Sequence, residues 1–115
     1  MTPIPAAELL SRLPQDARHA VKSALGAAGK LPGAQKVVVF GRYAKGTQSP
    51  DSDLDVAVFF GDDGTPFISR HRALTRICVN PDIDIQAQAF SVSELDAPCG
   101  IVEEIVKYGI EYPGV

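Results

Sequence analysis

Apolar and polar positions along this chain change period several times, and each change marks an element. In the first 30 residues the apolar positions recur at three- and four-residue steps. Ala6, Leu9, Leu10 and Leu13 form one stripe behind Pro5, a residue suited to a first helical position. Pro14 restarts the chain and Asp16 falls in the new first turn. Ala17, Val21, Leu25 and Ala28 then form a second stripe, which Gly29 stops. The pattern switches at residues 36–41 (KVVVFG), a short β-branched run that predicts a buried strand. Residues 42–52 are polar and turn-rich. A second strand is predicted over 54–60 (LDVAVFF), ended by Gly61-Asp62-Asp63-Gly64. Thr65 and Pro66 open a helix to about Val79 with Phe67, His71, Leu74 and Cys78 on one face. After Asn80 and Pro81, residues 82–90 alternate, with Ile83, Ile85, Ala87 and Ala89 on one side of a strand. Ser91 and Glu94 have capping-box spacing, ahead of a last helix over 98–108 that carries Ile101, Ile105 and Tyr108. The order α, α, β, β, α, β, α predicts an α/β or α+β domain, a small mixed sheet packed with helices.

Composition narrows the class. A chain of 115 residues with no repeat or linker suits a single domain over 1–115, with N-terminal helices over 1–30 and a core over 36–110. Apolar residues at 45% and charged residues at 22% are ordinary for a globular protein. A net charge of −3 argues against general binding to nucleic-acid backbones, while leaving room for a single nucleotide. The apolar run at Val37–Phe40 is far too short to span a bilayer, and the N-terminus lacks a signal-peptide pattern, so the expectation is a cytoplasmic protein without a membrane partner. Cys78 and Cys99 read as small buried hydrophobes. Together with His19 and His71 they are too few for a zinc site.

The stretch from Phe40 to Val56 carries the chemistry. Aspartate is a poor strand former, yet Asp53 and Asp55 stand at the start of the second strand, where side chains two apart share a face. Adjacent carboxylates repel, and a divalent cation removes that cost; Mg²⁺ takes such oxygens together with substrate phosphates. Asp84 on the next strand can add a third carboxylate, with Asp82 as a rival of the same parity. The plainer reading is a solvated strand end for Asp53 and Asp55, and an open sheet face for Asp84 beside Gln86 and Gln88. Two familiar motifs fail here. Gly41 and Gly46 have P-loop spacing, but Thr47 stands where the lysine belongs. Asp51, Asp53 and Asp55 alternate like a calcium loop, but Val56 replaces its glycine.

A strand ending in glycine, a turn-rich connection and a second strand opening with Asp-x-Asp resemble the minimal nucleotidyltransferases of the DNA polymerase β-like superfamily. Gly41, Asp53-Leu54-Asp55 and Asp84 fall on that pattern, and Ala44, Gly46, Pro50, Ser52 and Val56 match the usual run, so the likeness covers about 36–110. The resemblance implies the nucleotidyltransferase fold and transfer of a nucleoside monophosphate, AMP from ATP, to a hydroxyl. It implies two Mg²⁺ ions held by Asp53, Asp55 and Asp84, with Asp84 also deprotonating or orienting the nucleophile. Gly41 would let the backbone approach the triphosphate. Arg42 departs from the family's serine. It can replace that phosphate contact with a charged one, fill the cradle, or neutralise Asp53 or Asp55. Lys45 is a further candidate phosphate contact.

Members this small are typically paired with a helical HEPN toxin as its antitoxin, modifying a tyrosine of the partner. The other reading is a catalytically inactive module that neutralises a helical partner by contact alone. The oligomeric state is open, a homo-oligomer included. Arg70, Arg72 and Arg76 read as a solvated helix face, and His71, Tyr43 and Tyr108 as packing residues.

Overall fold

Two neighbouring runs of β-branched and aromatic residues build the centre of the molecule. β2 (Ala34–Phe40) and β3 (Leu54–Phe60) pair antiparallel, with Val38 opposite Ala57 and Phe40 opposite Asp55. Both faces of these strands are covered, which is why they read as continuous apolar runs and not as an alternation. β4 (Ile85–Ser91) lies parallel to β3 at one edge, with Leu54 in register with Ile85. β5 (Ile110–Tyr112) pairs antiparallel with β2, and β1 (Thr2–Pro3) runs parallel beyond it. The five strands stand in the order β1-β5-β2-β3-β4. This is a computed structural model, and it describes residues 1–79 and 82–112.

The helices divide between the two faces. α1 (Ala6–Ser11), a 3₁₀ turn at Gln15–Ala17 and α2 (Arg18–Gly29) cover one face. There Leu9, Val21 and Leu25 meet Val37, Val39 and Val56. α3 (Gly41–Lys45) is a short turn of helix directly after β2, and α4 (Phe67–Ile77) adds Leu74 to the same core. α5 (Ile101–Tyr108) covers the other face, packing Val102 and Ile105 on Val38, Phe40, Ala57 and Phe59. Burying such side chains contributes roughly 1.5–3 kcal/mol each. The two apolar layers fix β3 between them and leave only its N-terminal end at the surface.

Several expectations are corrected here. The segment over 42–52 opens with α3, because Gly41 at φ +70° turns the chain straight from strand into helix. The strand expected from residue 82 begins at Ile85, and the turn expected at Asn80 and Pro81 lies outside the described residues. β1 and β5 were too short to leave a period. The Ser91–Glu94 capping box forms, but it caps a 3₁₀ turn at Val92–Leu95 instead of the last helix. That helix starts at Ile101, with Val102 and Ile105 inward, so Ile101 and Tyr108 stay 44% and 45% exposed. Cys78 is buried as expected, but Cys99 is exposed. Among the described residues no helix is long and apolar enough to cross a membrane.

Arg70 is a larger correction. It does not lie on a solvated face. Its guanidinium donates to the Gly61 carbonyl (3.0 Å) and to Asp63 Oδ1 (2.7 Å), and it lies 4.6 Å from the centre of the Phe60 ring. It fastens α4 to the C-terminal end of β3. His71 is half-buried and stacks on Phe67.

Candidate active site

The site forms where β2 ends and β3 begins. Phe40 is extended, Gly41 takes a left-handed conformation, and α3 follows at once. A Cβ built on Gly41 would lie 2.3 Å from Oδ2 of Asp55, so only a residue without a side chain brings the backbone this close to the carboxylate. α3 is held from below and from behind. Tyr43 is fully buried, and Arg12 Nη1 donates to the carbonyls of Tyr43 (2.9 Å) and Ala44 (3.1 Å). Those carbonyls have no partner inside so short a helix. Arg12 was not singled out in the sequence, since it lies 31 residues from its partner and no motif links them.

A second compact turn sets the approach to Asp53. Ser49 N–H donates to Ser52 Oγ (2.8 Å), and Ser52 N–H to the Ser49 carbonyl (3.1 Å). Ser49, Asp51, Ser52 and Asp53 then share an opening of about 300 Å³ with Arg42 and Asp55. Among the described residues neither the Asp53 nor the Asp55 carboxylate has a hydrogen-bond or ion-pair partner. Burial pushes the Asp55 carboxyl above its ordinary range, and the negative charges of Asp53 and Glu104 push it further. Asp53 and Asp55 therefore form an anionic pair whose cost nothing among the described residues offsets.

Arg42 lines the same opening and is exposed. Among the described residues its guanidinium pairs with no carboxylate, so it does not neutralise Asp53 or Asp55. Its carbonyl takes the N–H groups of Gly46 and Thr47, which ends α3 at a left-handed Gly46.

Asp84 is brought near but not into that pair. Its carbonyl takes the Leu54 N–H (2.8 Å), which docks it beside the start of β3. Its carboxylate accepts from Gln86 Nε2 (2.7 Å) and, with Asp82, lines a neighbouring depression of about 420 Å³ that Asp51, Ser52 and Asp53 share. The loop at 51–53 thus forms a common wall between the two depressions. Among the described residues no three His, Cys, Asp or Glu side chains stand close enough to enclose a metal ion by themselves. The donor set still suits Mg²⁺, which is commonly held by one or two carboxylates plus substrate phosphates and water.

Lys45 leaves α3 toward α5. Its Nζ donates to Glu104 Oε1 (2.6 Å) and lies 4.9 Å from the centre of the Tyr108 ring. Glu104 is the acidic residue missed in the sequence. Helical periodicity puts it on the polar side of the last helix, but only the packing of α5 over β2 brings that side to Asp55.

Comparison with known proteins bears on this geometry. Residues 21–86 match a family model described as a nucleotidyltransferase domain. No curated protein matches the chain in sequence. A candidate nucleotidyltransferase from Sulfolobus solfataricus is similar in structure, with 19% identity and a TM-score of 0.57 over 93% of this chain and 85% of that one. A toxin–antitoxin structure with AMP-PNP is similar at 23% identity and a TM-score of 0.57, over 84% of this chain and 73% of that one. A tyrosine-to-alanine mutant of the toxin–antitoxin MntA–HpeT is similar at 23% identity and a TM-score of 0.55, over 84% and 72%.

Proposed function

The chain belongs to the nucleotidyltransferase domain family, and from that premise we propose that it transfers AMP from ATP to a hydroxyl and serves as the antitoxin of a toxin–antitoxin pair. The observation that carries the transfer reading is the carboxylate pair of Asp53 and Asp55, unpartnered among the described residues, with the bare backbone of Gly41 against Asp55. An anionic pair kept open at the end of a buried strand is costly unless a ligand uses it.

In this reading Asp53 and Asp55 would hold Mg²⁺, with Asp84, just ahead of β4, in the neighbouring depression across the 51–53 loop. A divalent cation there supplies charge to polarise the α-phosphate and to acidify the attacking hydroxyl. Gly41 leaves room for the phosphates, Arg42 offers them a charged contact at the opening, and Arg12 and Tyr43 keep α3 in place. Asp84 orients the acceptor hydroxyl or takes its proton. The structural likeness to toxin–antitoxin complexes supports a partner protein, and we take it to be a HEPN-type helical toxin modified on a tyrosine. The lack of an Arg42 ion pair to either aspartate favours catalysis over neutralisation by contact alone.

Calorimetric titration of ATP with and without Mg²⁺, with Arg42→Ser in parallel, tests the site. Mg²⁺-dependent binding by the natural protein is the expected result. Binding by the serine variant alone would mean that Arg42 closes the cradle, leaving the contact-only antitoxin. Transfer of label from α-labelled ATP to a co-purified partner, lost in its Tyr→Phe variant, tests the acceptor.

A further inference from the structure

We propose that Glu104 is a positioning residue of this site: it holds the Lys45 ammonium off the carboxylate pair, against α5, and yields it to the triphosphate when nucleotide enters. The inference rests on the nucleotide reading above and adds a residue to it.

Lys45 and Arg42 are three apart on α3, so both side chains leave the same side of one helical turn. Arg42 lines the opening over Asp53 and Asp55, while Lys45 is drawn off it by two groups of α5. Glu104 takes the ammonium at 2.6 Å, and Tyr108, one turn further along, lays its ring under the same nitrogen. α5 is anchored by the buried Val102 and Ile105, so this holder is rigid.

The hold itself is weak. Lys45 and Glu104 side chains are 38% and 36% exposed, and an ion pair that open to water contributes little to stability. A triphosphate offers the ammonium several charged oxygens at once, and charge-assisted contacts to phosphate are stronger than one exposed carboxylate. The exchange is therefore downhill, and it has a second effect. While Lys45 is paired, its charge offsets that of Glu104, and an incoming nucleotide meets Asp53 and Asp55 without this cation turned toward them. Glu104 thus sets how strongly the site discriminates a polyphosphate, which can capture Lys45, from a monophosphate, which offers fewer oxygens to do so.

Titrating Mg²⁺–ATP, and AMP as a control, into the natural protein, Glu104→Gln, Lys45→Met and the double variant tests this. Releasing Lys45 in Glu104→Gln is expected to tighten ATP binding by about 3-fold, in line with the loss of a competing exposed pair. In the Lys45→Met background the same change is expected to give less than about half that gain in binding free energy, because the two residues act through one another. AMP affinity should move least. An unchanged or weaker ATP affinity in Glu104→Gln overturns the proposal. So does an equal gain in both backgrounds, which would be a plain charge effect without transfer of Lys45. Absence of ATP binding by all four proteins, with their melting curves intact, overturns the nucleotide site itself.

Discussion

β3 carries aspartates at both ends, and the two ends are built on opposite terms. At its C-terminal end Asp63 accepts from the Thr65 N–H (2.9 Å) and from Arg70 (2.7 Å), and these contacts hold its carboxyl below the ordinary range. At its N-terminal end Asp55 has no such partner, and burial, Asp53 and Glu104 hold it above that range. The chain has cations within reach of both ends. Arg70 is spent on the first, while Lys45 is turned to Glu104 and Arg42 pairs with nothing among the described residues. On the proposed function, the difference separates an acidic turn that finishes a fold from an acidic pair kept for a metal ion and nucleotide.

Removing the open end should have the largest effect. Asp53→Ala and Asp55→Ala are each expected to lower Mg²⁺-dependent transfer on the order of 10³-fold while the protein still melts cooperatively. Label transfer from ATP, measured beside a thermal melt, checks this; activity within about 10-fold of the natural protein would remove these residues from the chemistry. Gly41→Ala comes next. Its Cβ must displace Asp55, and its left-handed backbone carries a strain of about 1–2 kcal/mol. The expected outcome is a lower melting temperature together with a nucleotide affinity reduced by more than that strain explains. A variant that melts lower but binds ATP normally would show that the close approach serves only the turn.

The same contrast explains what was legible in the sequence. β3 could be read because its apolar run from Val56 to Phe60 is uninterrupted, and Asp53 and Asp55 stood out because aspartate does not belong at the start of a strand. Gly41 was legible as the end of a strand. Arg70 was not, because a basic residue on an amphipathic helix reads as solvated until the Gly61 carbonyl, Asp63 and the Phe60 ring are placed beneath it. Arg12 and Glu104 were invisible for a similar reason, as both act across long sequence separations fixed only by packing. Short elements failed too: α3 hides in a polar stretch, and β5 has three residues, too few for a period.

Breaking the satisfied end should affect folding and leave chemistry alone. Arg70→Met keeps the aliphatic stem and removes the donors, leaving the Gly61 carbonyl and Asp63 without them. The expected loss is about 1–3 kcal/mol of stability, read from a denaturant titration, with ATP affinity unchanged. A fall in nucleotide affinity without a fall in stability would mean that the two ends of β3 are coupled.

The smallest expected effect sharpens the comparison most, because the two ends should respond to pH with opposite sign. Asp55 has a folded-state pKa above its unfolded one, so its ionised form destabilises the fold. That penalty is fully present above the folded value, fades as pH falls through it, and is gone below the ordinary carboxylate value. Asp55→Asn is therefore expected to stabilise the protein in metal-free buffer near neutrality, by less than about 1 kcal/mol given how much water screens the group. The gain should vanish near pH 3 if the fold survives there. Asp63 has its pKa lowered, so it contributes stability above its unfolded value and loses it as pH falls through the folded one. Asp63→Asn should thus destabilise near neutrality and converge with the natural protein in acid. Paired melts across pH 3–8 in chelator read both slopes at once. Parallel slopes would mean that Asp55 has a partner in solution, and a stabilisation of Asp55→Asn that Mg²⁺ reverses would identify the cation as the partner this end of the strand is built to receive.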